Sequence, residues 1–204
     1  MERVRAYVDG MNLYHGLRQR YGRRYHWLDL QALASSLLKP GQQLDLVTYF
    51  TARVRDEPAA EQRQTTYIEA LNAHCKSLCV VDGRYQEKQM RCRGCRAMWT
   101  TYEEKETDVS IAVSLVEDAA LDRFDMALLL SADSDLCPAV RSVRRVDARK
   151  RVVVAFPPKR NSADLRRHAH ASMFIGNDKI RRSQLPAEVT RMDGRRLARP
   201  KYWS

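Results

Sequence analysis

Apolar residues follow two different periodicities along this chain, and the two alternate. Apolar runs predict strands at residues 5–8, 44–54, 78–81, 124–130, 151–156 and 172–176. Apolar residues three and four positions apart predict helices at residues 11–19, 29–38, 58–74, 108–122, 136–146 and 162–170. Because strands and helices alternate, we expect an α/β fold, with a mostly parallel central sheet and helices on both faces.

Two segments fall outside this alternation. Residues 88–104 carry Cys92 and Cys95 among several Arg and Lys, and they predict an insert that breaks the pattern. From Lys179 onward the chain is polar, with eight Lys or Arg and two acidic residues over 26 positions. We therefore expect one domain over residues 1–177 and a basic C-terminal tail over 178–204, which docks on the domain, contacts a ligand or extends free.

Carboxylates follow the predicted strands at the points where ligands bind in such folds. Asp9 ends the first strand, Asp133 and Asp135 follow the strand that ends at Leu130, and Asp108 begins the helix leading into that strand. Ligands of open parallel sheets bind at the carboxyl ends of strands, where the strand order reverses. We therefore expect these acids to converge in one cleft.

Each of these acids also has a plainer interpretation, since Asp commonly caps the start of a helix. Several together are harder to explain as caps, because crowded carboxylates repel one another unless protons or a cation neutralise them. Hard oxygen ligands with remaining water sites suit Mg²⁺ or Mn²⁺. The cluster therefore predicts a divalent cation site.

The composition favours a polyanionic partner. Among 204 residues, 36 Lys and Arg against 25 Asp and Glu give a formal net charge of +11, which is typical of proteins that bind nucleic acid. The longest apolar run, Met126–Leu130, is too short to span a bilayer. The charged N-terminus, Met1–Arg5, lacks the apolar stretch of a signal peptide, so we expect a cytoplasmic protein without membrane contact.

Basic residues cluster at 18–24, 88–96, 141–151 and 159–167. The aromatic residues in or near the first two clusters are Tyr21, Tyr25, Trp27, Trp99 and Tyr102. Arginine with exposed aromatic rings suits single-stranded RNA, because phosphate pairing and base stacking combine. The alternative is a solvated helix face above an aromatic core, and it is favoured for residues 141–151.

Three separated segments carry a resemblance to a known family. Tyr7–Leu13, Glu104–Val109 and Leu129–Leu136 resemble the three motifs of the NYN family, PIN-like nuclease domains of the bacterial LabA-like group, in the family's order and over about residues 3–176. The resemblance implies a PIN-like three-layer sandwich and a Mg²⁺- or Mn²⁺-dependent endoribonuclease. By position, Asp9, Asp108, Asp133 and Asp135 match the family's acidic metal site, with Asn12 and Ser131 as polar neighbours.

The chain departs from the family pattern at two places. Ala132 stands where the family commonly has Gly, and Lys105-Glu-Thr-Asp108 stands where it often has Lys-Gly-Val-Asp. Neither change removes a carboxylate. Lys105 is a candidate phosphate contact, and a solvated lysine is the favoured alternative. An RNA-binding or regulatory module without catalysis is the alternative, and a protein regulator or a homodimer stays open. A haloacid-dehalogenase-like phosphatase is disfavoured, because Met11 occupies the position of its second Asp.

The five cysteines predict reduced thiols or a metal site rather than a disulfide framework. Cys92-x-x-Cys95 has the spacing of a zinc knuckle, and Gly94 allows its tight turn. His74, Cys75 and Cys79 are candidates to complete a structural Zn²⁺ site. Free thiols in a loop are the alternative.

Overall fold

Seven strands form the central sheet of the computed structural model, which describes residues 1–55 and 57–203, without the side chains of 84–87 and 101–105. The strands are β1 (Glu2–Asp9), β2 (Gln42–Ala52), β3 (Leu78–Arg91), β4 (Met98–Lys105), β5 (Met126–Leu130), β6 (Arg151–Phe156) and β7 (Ala171–Phe174). The helices are α1 (Gly10–Tyr21), α2 (Leu30–Ser36), α3 (Pro58–His74), α4 (Thr107–Ala120), α5 (Cys137–Val146), α6 (Ala163–His168) and α7 (Asn177–Arg182). A short hairpin, β8 (Glu188–Thr190) and β9 (Arg196–Ala198), and a 3₁₀ turn at Lys201–Trp203 follow.

The strand order creates a crevice beside β1. The order is β4-β3-β2-β1-β5-β6-β7, and only the β3–β4 pair in this sheet is antiparallel. The chain runs outward from β1 to β4 on one side, then crosses through α4 to β5 on the other side of β1. The carboxyl ends of β1 and β5 therefore flank the point where strand order reverses, which is the usual ligand position in such folds.

Two apolar cores lie on opposite faces of the sheet. One core packs α1, α2, α3 and α7 against residues such as Val4 and Val8 of β1, and the other packs α4, α5 and α6 against Tyr7 and Leu129. Side chains of β1 and β5 alternate between these cores because successive residues of a strand point to opposite faces. The predicted α/β fold, with a mostly parallel sheet between two helical layers, is confirmed. No described helix combines the length and apolar character needed to cross a bilayer.

The structure differs from the sequence prediction at the insert. Residues 88–104 do not break the pattern, because β3 continues to Arg91 and pairs with β4, with Arg91 opposite Met98. Among the described side chains of residues 88–100, which include basic groups and exposed apolar groups such as Trp99, none is buried. The usual strand signal, which comes from a half-buried surface, is therefore weak there.

The C-terminal segment docks on the domain. Ile180, Leu185 and Val189 are buried in the core that contains α1 and α3. The indole of Trp27 donates a hydrogen bond to the backbone oxygen of Pro186 at 2.7 Å. Burial of these apolar side chains outweighs the basic character of the segment, so residues 180–189 pack on the domain instead of extending free.

A buried carboxylate ties α4 to β1. Asp118 accepts hydrogen bonds from the Tyr7 hydroxyl at 2.7 Å, from Arg123 at 2.9 Å and from Arg5 at 3.1 Å. Burial alone would raise the pKa of Asp118, but these hydrogen bonds and the nearby charges outweigh it, so its pKa lies below the usual value. The network fixes the helix that carries Asp108 against the strand that carries Asp9.

We expect Asp118→Ala to lower the free energy of unfolding at pH 7 by about 3 kcal/mol, because it leaves the hydrogen-bond donors of the carboxylate without an acceptor. Because folding lowers the pKa of Asp118, its contribution is present above the ordinary value of 3.8 and is lost as the pH falls through the folded pKa. Urea denaturation at pH 7 and in acid measures both effects. Asp178→Ala, which removes an exposed acid on α7, is the control and should change little; equal losses in both variants would contradict the network's importance.

Candidate functional site

Asp9 is the buried centre of the candidate site. It is the last residue of β1 and the N-cap of α1, and only 4% of its surface is exposed. One carboxylate oxygen accepts a hydrogen bond from the backbone N–H of Asn12 at 2.9 Å, and the other accepts one from the Ser131 hydroxyl at 2.7 Å. The next residue, Gly10, allows the close approach of α1 to β2, because a Cβ there would lie 2.6 Å from the Phe50 backbone oxygen.

Hydrogen bonds clamp the loop after β5 onto the start of α1. Ser131 is fully buried, and its hydroxyl accepts a hydrogen bond from the backbone N–H of Asp133 at 3.0 Å. The side-chain oxygen of Asn12 accepts one from the backbone N–H of Ala132 at 3.2 Å. Three predicted site residues, Asp9, Asn12 and Asp133, are therefore held in one network with Ser131.

The charge on Asp9 is unfavourable in this setting. Burial is the largest cause that raises its pKa, to about 6, while the hydrogen bonds from Asn12 and Ser131 oppose the rise. The neighbouring carboxylates of Asp108 and Asp133 raise it further. Three acids from separate segments thus face one another, and this repulsion favours a proton or a cation between them.

These acids line a cleft of about 360 Å³ at the carboxyl ends of the strands. Asp108 reaches it from the first turn of α4, on the crossover between β4 and β5. The full lining is Asp9, Met11, Asn12, His15, Glu106, Thr107, Asp108, Val109, Asp133 and Arg160.

Asp135 does not line this cleft. The 3₁₀ turn at Ser134–Leu136 directs its exposed side chain into a neighbouring groove, which Arg141 and His168 also line. Its backbone N–H donates a hydrogen bond to the Asp133 carboxylate at 2.9 Å. Asp135 therefore orients Asp133 through the main chain.

Glu106 begins α4 with a left-handed backbone, at φ 78°. A non-glycine residue in this region costs about 1–2 kcal/mol, and this conformation favours glycine. The position is one where the family pattern often has Gly. Glu106 therefore keeps a strained backbone conformation at the edge of the cleft, which it lines.

Six lining residues were not predicted as site residues: Met11, His15, Glu106, Thr107, Val109 and Arg160. Arg160 comes from the loop after β6, and its Nε is buried without a hydrogen-bond partner among the described residues. That loop packs closely on α1, since a Cβ at Gly16 would lie 2.7 Å from the Pro158 backbone oxygen. The sequence shows a basic cluster at residues 159–167, directly after β6. Only the fold shows that Arg160 of this cluster lines the cleft.

The donor set suits a divalent cation bound in an open manner. In the described part of the chain, no three His, Cys, Asp or Glu side chains lie close enough together to hold a metal ion by themselves. Mg²⁺ seldom needs such a cage, because one or two carboxylates usually hold it together with water and substrate phosphate. The crowded carboxylates of Asp9, Asp108 and Asp133 therefore fit Mg²⁺ or Mn²⁺.

The predicted zinc ligands are not brought together. Cys92 and Cys95 lie in the turn between β3 and β4, whereas Cys79 lies near the start of β3, thirteen residues before Cys92. Along an extended strand this separation is about 40 Å. His74 and Cys75 instead contact the carboxylate of Asp29, each at 3.4 Å.

The Cys92 and Cys95 pair retains a knuckle-like turn. The pKa of Cys92 is lowered by hydrogen bonds from the backbone of Cys95 and Gly94, and by one from the Cys95 thiol. The described residues supply no third ligand to these two thiols. The structure therefore gives a two-cysteine turn rather than a complete zinc site.

The predicted aromatic surface for RNA is only partly available. Trp27 is fully buried in the core, whereas Trp99 is half-exposed on β4. Tyr21 and Tyr25 are partly buried and pack edge to face at 5.1 Å. The side chains of Tyr102 and of the candidate phosphate contact Lys105 lie outside the described residues.

Comparison with known protein families matches the NYN domain over residues 3–176. The 6-hydroxy-3-succinoylpyridine 3-monooxygenase HspA of Pseudomonas putida is 28% identical over an alignment of 240 positions, which covers 98% of this chain and 75% of that protein. A solved protein of unknown function from Vibrio parahaemolyticus is 22% identical, with a TM-score of 0.58 over 87% of this chain and 94% of that chain, which shows a shared fold. Since the family match covers most of its length, this chain belongs to the NYN domain family and has the PIN-like nuclease fold.

Proposed function

We propose that this protein is a divalent-metal-dependent endoribonuclease that hydrolyses phosphodiester bonds of single-stranded RNA in the cleft beside Asp9. The observation that carries the proposal is the convergence of Asp9, Asp108 and Asp133 at the strand ends, with the buried Asp9 carboxyl at a pKa of about 6. Pure RNA binding gains nothing from such a cluster, because carboxylates repel phosphates. This argues against the alternative of a silent RNA-binding or regulatory module.

Each acid has a role in this proposal. Asp9, Asp108 and Asp133 would hold Mg²⁺ or Mn²⁺, with Ser131 orienting Asp9. The bound cation would supply an activated water and neutralise charge that develops on the phosphate. The side-chain oxygen of Asn12 accepts a hydrogen bond from the Ala132 backbone N–H. The side-chain N–H groups of Asn12 would then donate to a water or a phosphate oxygen.

Arg160 complements the acids. An arginine guanidinium presents planar paired donors that match phosphate oxygens, and the Arg160 Nε has no partner among the described residues. A phosphodiester in the cleft would give it one. The net charge of +11 would raise the local concentration of RNA, while the acids act at one phosphate only.

The name of the Pseudomonas putida relative points to another chemistry, oxygenation of a pyridine. No described residue of the acidic cleft favours that chemistry over phosphodiester hydrolysis. A cluster of hard carboxylate donors beside an arginine suits a phosphate and a divalent cation. Hydrolysis of RNA is therefore the function that this cleft supports best.

We expect Asp133→Asn and Asp9→Asn each to reduce cleavage of a fluorescent single-stranded RNA in Mn²⁺ by at least about 100-fold, the order seen when a preorganised electrostatic group is removed. EDTA should abolish cleavage by the wild type. Asp178→Asn, on the exposed face of α7, is the matched control. Undiminished cleavage by a folded Asp133→Asn variant would remove this residue from the mechanism, and parallel reactions with duplex RNA and DNA define the substrate.

Mn²⁺ should stabilise the wild type, because a ligand that binds only the folded state raises its stability. At a concentration 100 times the Kd we expect the Tm to rise by about 5–10 °C, measured by scanning fluorimetry. Asp9→Asn keeps a good N-cap residue but loses a charged ligand, so its Tm should respond much less. An equal rise in both proteins would show that Mn²⁺ binds elsewhere.

Arg160→Ala should weaken RNA binding more than it slows the chemical step. We expect a roughly tenfold higher KM, in line with about 1.5 kcal/mol for one charged hydrogen bond, and Arg160→Lys should recover only part of it. Steady-state cleavage kinetics measure both constants. Arg181→Ala, which removes an exposed arginine on α7, is the control. An unchanged KM in Arg160→Ala would contradict the assigned phosphate contact.

A further inference from the structure

A second cavity, of about 340 Å³, lies beside the acidic cleft. It is enclosed by α1, α3, the end of β2 and the C-terminal residues Tyr202 and Trp203. Met11 and His15 line both this cavity and the acidic cleft. The two sites therefore share two residues of α1.

Aromatic rings form much of the cavity wall. The rings of Tyr14 and His26 lie 5.0 Å apart, and those of His26 and Trp203 lie 5.8 Å apart, both in tilted arrangements. Tyr67 packs edge to face against Trp203 at 5.8 Å. Tyr14 remains 36% exposed, so its ring is available to a ligand. Such a wall suits the flat face of a ring, because aromatic pairs gain from stacked and edge-to-face contact.

Charged groups surround the aromatic wall. Arg18 and Arg63 line the cavity, and Glu57 adds an acceptor of opposite charge. The guanidinium of Arg63 lies 4.2 Å from the ring centre of Tyr202, and that of Arg23 lies 4.0 Å from the same ring. The arginines can donate hydrogen bonds and Glu57 can accept them beside an apolar wall. These groups match a ligand that joins a heterocyclic ring with polar edges to an anionic backbone.

Interior polar groups of the cavity are already satisfied. The Gln64 amide donates to the Ala52 backbone oxygen at 2.8 Å and accepts from the Val54 backbone N–H at 2.7 Å. The Tyr67 hydroxyl donates to the Leu28 backbone oxygen at 2.7 Å. The deep part of the cavity therefore offers apolar surface, while recognition of polar edges falls to the charged residues near the opening.

We propose that this cavity binds one nucleobase of the RNA strand, adjacent to the nucleotide whose phosphate occupies the acidic cleft. The inference rests on the proposed function and deepens it, since it assigns a substrate subsite. The volume is at the small end of the range for small-molecule sites, about 300–1,000 Å³, and so suits a single ring system. Stacking on Tyr14 and Trp203 holds the base, and Arg18 and Arg63 attract the backbone.

The C-terminal segment belongs to this subsite. Its buried apolar residues anchor it to the domain, and this places Tyr202 and Trp203 over the cavity beside α3. The segment therefore supplies a recognition wall in addition to basic charge.

An abasic scan tests the subsite without altering the protein. Single-stranded RNA oligonucleotides with one abasic position each are titrated into the Asp133→Asn variant, which binds but is not expected to cleave. We expect one position near the cleavage point to lose about tenfold in affinity when its base is absent, as for the loss of one stacked base. The other positions should change much less. A flat scan would overturn the subsite.

Variants locate the effect. Tyr14→Ala and Trp203→Ala, made in the Asp133→Asn background, should weaken binding of the intact oligonucleotide by a similar factor and leave binding of the sensitive abasic oligonucleotide unchanged. Phe174→Ala, an exposed aromatic residue on the edge strand β7, is the matched control and should affect neither. If removal of the base at the sensitive position costs the same affinity in Tyr14→Ala, Trp203→Ala and Phe174→Ala, the base binds elsewhere and the assignment is overturned.

The two proposals fail in distinguishable ways. Cleavage by the wild type with a flat scan leaves the nuclease intact and removes the subsite. Absence of both cleavage and RNA binding removes both. Calorimetric titration with free nucleosides and with a hydroxypyridine carboxylate tests whether the cavity instead binds a small heterocyclic molecule. Tighter, Tyr14-dependent binding of the free heterocycle than of RNA would also overturn the nucleobase assignment.

Discussion

The confinement of one carboxylate at the end of β1 is the constraint on which the rest of the site depends. Asp9 is buried, yet it accepts hydrogen bonds from α1 and from Ser131 in the loop after β5. These bonds join the two strands that flank the reversal of strand order. They also leave the Asp9 carboxyl close enough to Asp108 and Asp133 for these two acids to raise its pKa. This arrangement favours a proton or a cation among the three acids, and the proposed divalent cation would meet that need.

Charge is distributed at two scales in this molecule. The chain carries an excess of basic residues overall, but acids dominate the cleft where the strands end. Long-range attraction would bring a polyanion to the surface, while local repulsion admits its phosphate only with a neutralising cation. Arg160 lines the acidic cleft, and the aromatic cavity shares Met11 and His15 with that cleft. Phosphate chemistry and base recognition would then use neighbouring walls of the same helix, α1.

Much of the fold followed from local patterning. Apolar runs predicted the main strands and helical periodicity predicted the main helices, because a buried strand and a buried helix face each require a different spacing of apolar residues. The acids at strand ends could be recognised as well, since the carboxyl ends of parallel strands lie at one edge of a sheet. The hairpin around Cys92 could not be predicted, because the described side chains of residues 88–100 are not buried and give no clear periodicity. The zinc hypothesis gained no support, because the length of strand β3 separates Cys79 from Cys92.

The sequence by itself determined the layered architecture, the basic surface and which acids follow which strand, because these depend on residue type and local spacing. Tertiary structure alone decided that Asp135 lines a groove outside the acidic cleft, that Arg160 lines the cleft, and that Trp203 lines the aromatic cavity. Each of these depends on the direction of a side chain or on contact between segments far apart in the chain. Such directions are set by packing, which no periodicity along the sequence records.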